Sequence, residues 1–190
     1  MKLRSQIIVI IISVCLLLVA VAAGAEDYKN WIPLLPETIG GLDRAGKPDG
    51  MNMETNDQRW CMVHQKYGSD ESEKYIDLTL VWGGAAPFMA NYQMMSKFEM
   101  ETEEQITKTV KVSKYKEVIN LEKAEQRGTL MLALSKDMIV ILEAAPTTEE
   151  GQLSSLAEKL PLDKFAKGGM NSSLSVFDCP LPRAIGDSLD

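Results

Sequence analysis

The sequence predicts an α+β fold: an antiparallel β-sheet of five to seven strands with two main helices packed on it, preceded by an N-terminal signal-peptide helix. Apolar residues alternate with a period of two in several segments between residues 59 and 145, as they do in strands. Two other segments, residues 86–98 and 147–160, have helical spacing instead. An order of two strands, a helix, about four strands and a second helix is typical of an α+β domain.

The N-terminal segment has the three parts of a secretory signal peptide. Lys2 and Arg4 give it a positive start, residues 7–22 are almost wholly apolar, and small residues follow. Ala23-Gly24-Ala25 fits an A-x-A cleavage site. We therefore expect cleavage before Glu26.

An uncleaved membrane anchor at residues 7–25 is the alternative. This run carries no charge, and about 20 apolar residues span a bilayer. Both interpretations place the rest of the chain outside the cytoplasm, because the positive start stays inside. We expect a periplasmic or extracellular protein that contacts a membrane only through residues 7–25, and only if the signal is not cleaved. Cys15 does not indicate lipid attachment, since it lies within the apolar run and follows the bulky Val14.

The charge of the mature chain excludes two classes of partner. Residues 1–25 contain two of the 20 basic residues and none of the 27 acidic ones. The mature chain therefore has 18 basic and 27 acidic residues, a net charge of −9 with its histidine neutral. Such a surface repels nucleic-acid phosphates and anionic lipid headgroups, so we expect no nucleic-acid partner.

The first stretch of the mature chain, residues 26–50, is interrupted by breakers of regular structure. Apolar residues lie between the breakers. We expect an irregular segment that packs on the core, with at most a short helical turn. The breakers are Pro33, Pro36, Gly40, Gly41, Pro48 and Gly50.

A hairpin of two strands is expected next, from "RWCMVHQKY" and "KYIDLTLVW". Alternation places Trp60, Met62 and His64 on one face of the first strand, and Cys61 and Val63 on the other. The polar segment "GSDESE" between the strands is turn-like. The second strand has a cleaner apolar face, formed by Ile76, Leu78, Leu80 and Trp82.

The apolar pattern then switches to a helical period across residues 86–98. Phe88, Tyr92 and Met95 follow the i, i+4, i+7 spacing of one helix face. Pro87 suits a first helical turn, where its missing N–H has no partner to lose. We expect the helix to end near Phe98, because four glutamates follow and negative charge opposes the helix dipole there.

Four strand-like segments come next: "ITKTVKVS", "YKEVINLEK", "RGTLMLALS" and "DMIVILEA". The last two flank a tight turn at Lys136-Asp137. Both are apolar at odd and even positions alike. Strands with two apolar faces are covered on both sides, so we expect these two at the centre of the sheet.

A second helix is expected to close the domain. Thr147 and Glu150 have the spacing of a capping box, and Pro161 ends the helical pattern. The residues that we expect in the core here are Leu153, Leu156, Leu160, Leu162 and Phe165.

These elements divide the chain into a signal peptide or anchor at residues 1–25, one α+β domain at residues 26–167 and a Gly/Ser/Pro-rich tail at residues 168–190. We expect the tail to be partly disordered. "LPETIGGL", "VKVSKYKEVINLEK", "GTLMLALSKDMIVILEA" and "TTEEGQLSSLAEKLPLDKFAK" together resemble a class of exported bacterial domains of unknown function. Their pattern, over residues 33–167, is similar to the α/β sandwich of the PsbP and Mog1 proteins. The resemblance implies this fold and no activity, since fold does not fix function. The sandwich serves mostly as a binding or assembly module.

Cys61 and His64, the only histidine, form the one pair that suggests a nucleophile with its base. Residues three apart on a strand point to opposite faces, so the pair cannot meet. Cleavage of the signal leaves two cysteines, Cys61 and Cys179. An even pair in an exported protein is typical of a disulfide, which would tie the tail to the sheet. Two unrelated thiols, with Cys61 as a small buried apolar residue, are the alternative.

Methionines are frequent in the first half of the mature chain, and some of them could bind a metal. Thioethers together with an imidazole are soft ligands that suit Cu(I). Met89, Met94 and Met95 belong to the predicted helix, where core packing explains them. Only Met51 and Met53 lie in an expected loop.

We therefore expect an exported, non-catalytic binding or assembly module of the periplasm or cell envelope, whose ligand is an unidentified protein or small molecule. The sequence contains no catalytic or metal-binding motif of the common families, and we predict no catalytic residue, cofactor or metal ligand. A copper-handling protein that uses Met and His ligands is one alternative function. An extracytoplasmic enzyme of unknown type is the other.

Overall fold

The computed structural model describes residues 27–170, apart from residues 56–57, 70–72, 84–86, 113 and 148. Within these residues the chain forms a nine-stranded antiparallel sheet in the order β1-β2-β3-β4-β9-β8-β7-β6-β5. The strands are β1 (Thr38–Ile39), β2 (Leu42–Thr55), β3 (Gln58–Gly68), β4 (Tyr75–Trp82), β5 (Met100–Glu101), β6 (Gln105–Val112), β7 (Tyr115–Glu122), β8 (Arg127–Ala133) and β9 (Met138–Ala145). The helices are α1 (Pro87–Met95), α2 (Glu150–Ala157) and α3 (Leu162–Met170), and two 3₁₀ turns cover Tyr28–Asn30 and Ile32–Leu34.

The predicted fold class is wrong in its proportions. The sheet has nine strands among the described residues instead of five to seven. The structure has three short helices, with nine residues in α1, eight in α2 and nine in α3. The prediction of two main helices is therefore also wrong. Strands β1 and β5 have two residues each, too few for alternation to reveal them in the sequence.

Strand β2 is the largest departure from the expectation, because its first part, residues 42–50, lies within the segment that the sequence predicts to be irregular. The pairing register of β2 with β3 shifts between Ala45 and Asp49. Gly46 lies inside this irregularity with a φ of 72°, and Pro48 lies there as well. A bulge leaves residues outside the ladder, so neither residue interrupts the strand. Before β2 the chain is irregular as expected, with the two 3₁₀ turns followed only by the two-residue strand β1.

The main hydrophobic core lies on one face of the sheet, under α2, α3 and the 3₁₀ turns. Leu153 of α2, Phe165 of α3 and Trp31 between the turns are fully buried there. Cys61 and Val63 of β3 point into the same core. Leu162 and Phe165 return to the core as predicted, although they do so from a helix that the sequence did not predict.

Helix α1 packs on the opposite face of the sheet. Its buried residues, Met89 and Tyr92, contact Val81, Val118 and Ile139 in a second, smaller cluster. Tyr92 Oη also donates a hydrogen bond of 3.1 Å to the backbone carbonyl of Lys116. The central strands β8 and β9 are therefore covered on both faces, as their two-sided apolar pattern predicts.

The helix boundaries differ from the predicted ones at two places. Helix α1 ends at Met95, three residues before the expected end. The predicted capping box of Thr147 and Glu150 does not form: Glu149 is the N-cap residue of α2 and makes no side-chain cap. The Thr147 hydroxyl instead donates to Oε1 of Gln152 at 2.6 Å. The described residues contain no helix that is long and apolar enough to cross a bilayer.

Candidate functional site

The face of the sheet that carries α1, the α1 side, is the candidate site because α1 covers only part of it. Residues directly opposite in an antiparallel pair share a face. The register of β2 with β3 therefore places three pairs of side chains on the α1 side. These pairs are Asp49 with His64, Met51 with Met62, and Met53 with Trp60.

A group of methionines with one tryptophan occupies the edge of this face. Met51 is 42% exposed and Met53 is 40% exposed, so both thioethers meet solvent. Their partners across the strands, Met62 and Trp60, are half-buried and pack toward α1. The expectation that Met51 and Met53 lie in a loop is wrong, because both belong to β2. We call Met51, Met53, Met62 and Trp60 the methionine edge.

His64 borders the methionine edge and contacts a carboxylate of the next strand. Its Nε2 lies 3.3 Å from Oδ1 of Asp77, and the imidazole is 41% exposed. This Asp77 oxygen is buried and accepts no well-aligned hydrogen bond from the part of the chain that the structure describes. Cys61 points to the opposite face into the main core, so the structure separates Cys61 from His64 as the strand period predicts.

Polar side chains continue along the α1 side beyond the reach of α1. Tyr75 Oη donates a hydrogen bond of 2.7 Å to Oε1 of Glu143. Burial, and then this hydrogen bond to a carboxylate, raise the pKa of Tyr75 to about 12. Arg127 forms ion pairs with Glu122 and with Glu125, the latter at 2.7 Å. Tyr75 and Arg127 therefore each contact carboxylates of neighbouring residues.

Hydrogen bonds also fix the far side of this polar region, on β6 and β7. Asn120 Oδ1 accepts hydrogen bonds from Thr107 Oγ1 at 2.9 Å and from Gln105 Nε2 at 2.6 Å. Thr107 is buried. Asp77, Glu143, Thr129 and Asn120 follow one another across β4, β9, β8 and β7 in a single row. We call this row, with Tyr75, the polar row.

A shallow groove of about 480 Å³ lies at the end of the polar row. Tyr75, Arg127 and Pro146 line it, together with the carboxylates of Glu73 and Glu125. Its size is within the range of small-molecule sites. A second groove, of about 590 Å³, lies beside α3 and is lined by Tyr115, Leu162 and Asp163 among others.

The donor atoms of the described residues favour a soft metal ion over a hard one. Within residues 27–170 as described, no three His, Cys, Asp or Glu side chains are grouped as a metal site. Met51, Met53 and Met62 share the α1 side of the β2–β3 pair with His64. The predicted Cys61–Cys179 disulfide stays a prediction, because Cys179 lies outside the described residues.

The polar row and the contact between Tyr75 and Glu143 were not predicted from the sequence. The polar row did leave a signal in the sequence. Alternation along β4 already places Tyr75, Asp77 and Thr79 together, opposite the apolar face. The partner residue Glu143 required knowledge of which strand pairs with β4.

Comparison of the chain with protein-family models, with curated proteins and with solved structures found no match. The resemblance to the PsbP and Mog1 proteins therefore stays a prediction from the sequence.

Proposed function

We propose that this protein is an exported, non-catalytic binding module of the periplasm or cell envelope, and that its binding surface is the α1 side of the sheet. The observation that supports this most directly is the partial cover of that face. Helix α1 packs on the apolar middle strands, and the cluster beneath it includes no residue of the polar row, whose side chains are half-buried. Hydrogen bonds join Tyr75 to Glu143, and Asn120 to Thr107 and Gln105. Side chains that are positioned before binding lower the entropy cost of binding.

The arrangement of titratable side chains favours binding over catalysis. His64 and Cys61 lie on opposite faces of β3, so they do not form a nucleophile and base. Tyr75 holds its proton in a hydrogen bond to Glu143, with a pKa far above neutral pH. A general acid or base works best with a pKa near the working pH, and Tyr75 does not meet this condition.

Photo-crosslinking in the cell envelope tests the binding surface. A benzophenone amino acid replaces Thr129, which lies in the polar row. The matched control carries it at Ser155, an exposed residue of α2 on the other side of the sheet. We expect a discrete adduct in the intact mass from position 129 and none from position 155. Equal adduct patterns from both positions, or no adduct from position 129, would contradict the proposal.

Export has a separate test in the mass of the native protein. The proposal expects a chain that begins at Glu26 and fractionates with the periplasm or the medium. A chain that begins at Met1 and remains with the membrane fraction would support the anchor at residues 7–25 instead. A chain found in the cytoplasm would overturn the export proposal.

A further inference from the structure

We propose that Met51, Met62 and His64 bind a monovalent soft metal ion, Cu(I), on the α1 side of the β2–β3 pair. This inference names a ligand for the proposed binding surface and rests on that proposed function. Cu(I) is selected by thioether and imidazole ligands. The structure brings these three donors together from two strands, although the sequence separates Met51 from the other two.

The strand register sets the geometry of the site. Met51 and Met62 are directly opposite, and residues so placed have Cβ atoms about 4.5–5.5 Å apart. His64 is two residues from Met62 on the same strand and face, and it lies diagonal to Met51. Methionine is unbranched and has three rotatable bonds, so its sulfur can turn toward a point between the strands. The three donors can therefore reach one position above the β2–β3 pair.

Asp77 supplies the contact that a metal-binding histidine usually has. Histidine ligands commonly donate their second N–H to a carboxylate, which fixes the ring and its tautomer. His64 Nε2 lies 3.3 Å from Asp77 Oδ1, a buried oxygen that has no well-aligned hydrogen-bond donor among the described residues. With the proton on Nε2, the lone pair of Nδ1 is left to coordinate the ion. Asp77 is therefore a positioning residue.

The rest of the methionine edge suits a monovalent cation. Met53 adds a third thioether beside Met51, and Trp60 lies directly opposite Met53. The face of an indole ring attracts a nearby cation. Met51 and Met53 are the exposed members of the edge, so the ion can enter from solvent. Core packing accounts for many methionines, but Met51 and Met53 are about 40% exposed and contribute little to the core.

Anaerobic titration of the exported protein with Cu(I), in competition with a chromophoric chelator, tests the site. Accessible thiols are alkylated first, so that cysteine does not compete for the ion. We expect one equivalent of Cu(I) to bind, and we expect no competition from a tenfold excess of Zn²⁺. The double variant Met51→Leu/Met62→Leu should bind at least 100-fold more weakly. His64→Gln should bind at least tenfold more weakly.

The matched control is Met94→Leu, because Met94 is 59% exposed on α1 outside the methionine edge. It should bind Cu(I) as the wild type does. Leucine conserves the volume of methionine, so the fold is kept, and thermal unfolding of each variant checks this. Unchanged Cu(I) affinity in the double variant, or in His64→Gln, would overturn the proposal.

The crosslinking experiment at Thr129 separates this inference from the proposed function. A specific adduct at position 129 without Cu(I) binding removes the metal site and leaves the binding module. Cu(I) binding that depends on Met51, Met62 and His64 supports the metal site whether or not a second ligand occupies the polar row.

Discussion

Ser154 of helix α2 donates a hydrogen bond of 2.8 Å to Oε1 of Glu117 on strand β7. Glu117 is fully buried, and its Oε2 accepts no hydrogen bond from the described residues. Burial raises the pKa of Glu117, and the negative charge of Glu158 adds to this, while the bond from Ser154 opposes it. The Ser154 hydroxyl is therefore the one hydrogen-bond donor, among the described residues, to the buried Glu117 carboxyl group between the sheet and α2.

Replacing Glu117 should change how stability depends on pH. A folded-state pKa above the unfolded value, which is about 4.3 for glutamate, means that the folded state binds the proton more tightly. The stabilisation that this proton gives to the folded state is complete below the unfolded pKa and is lost as the pH rises through the folded pKa. Glu117→Gln removes the titration, so its free energy of unfolding relative to wild type should rise from pH 4 to pH 8. Urea unfolding at both pH values measures it.

Ser154→Ala provides the opposite change in the same experiment. It removes the hydrogen bond that favours the ionised carboxylate, so the loss of stability toward pH 8 should be steeper than in wild type. Parallel pH curves for the wild type and both variants would show that the Glu117 carboxyl group does not titrate differently on folding.

Two glycines provide a matched pair for the packing of α2 on the sheet. A Cβ on Gly128 of β8 would lie 2.5 Å from Cγ2 of Thr147 and 2.8 Å from Cδ1 of Leu153. Gly128→Ala should therefore lower the free energy of unfolding by about 1–3 kcal/mol. Gly151 of α2 has open space around it, and Gly151→Ala should raise this free energy by about 0.5–1 kcal/mol. Equal effects of the two substitutions in chemical denaturation would contradict this view of the contact.

The hydrogen bond between Tyr75 and Glu143 should be visible in a titration of the phenol. Tyr75 should ionise near pH 12, above the ordinary value of about 10 for tyrosine. Glu143→Gln should lower the pKa of Tyr75 and leave it above 10, because burial is the largest cause of the shift. NMR of ¹³Cζ-labelled tyrosine resolves the five tyrosines, and Tyr75→Phe assigns the signal. A Tyr75 that titrates with the exposed tyrosines would refute the prediction.

Thiol counting tests the predicted disulfide between Cys61 and Cys179. The denatured, unreduced mature protein should react with no thiol reagent, and reduction should release two thiols. Cys61 is fully buried in the main core, so loss of a disulfide there would remove a cross-link from the core to the tail. The chain-entropy model gives such a long loop up to about 4–5 kcal/mol of stabilisation. Two reactive thiols before reduction would exclude the bond.

The sequence predicted the elements that local patterns determine. The alternation in β3 and β4 predicts that Cys61 and Val63 share one face of β3 and that Leu78 lies on the apolar face of β4, and all three are buried in the core. Strands β8 and β9 are apolar on both faces and lie inside the sheet with cover on each side. In these segments the positions that are apolar in the sequence are the positions that the sheet buries, so the pattern alone is sufficient.

The sequence failed where distant residues decide the structure. Pro48 and Gly46 indicated a loop, but pairing with β3 keeps the segment in a strand around a bulge. Pro161 was interpreted only as the end of a helix. The backbone amides of Lys164 and Phe165 both donate to the Pro161 carbonyl, so Pro161 also opens α3. The pairing of Met51 with Met62 could not be predicted for the same reason, because it depends on β2 being a strand.

The strand order also constrains how the sheet assembles. Within the set β1 to β4 each strand pairs with its sequence neighbours, and the same holds within the set β5 to β9, so each set is a meander of local contacts. The two meanders meet at one seam, where β4 pairs with β9 from Tyr75↔Ala145 to Trp82↔Met138. Closing this seam requires the longest chain loop in the sheet, and contacts of high sequence separation form slowly. Pairing of β4 with β9 is therefore the folding step that joins two locally formed halves into one cooperative unit.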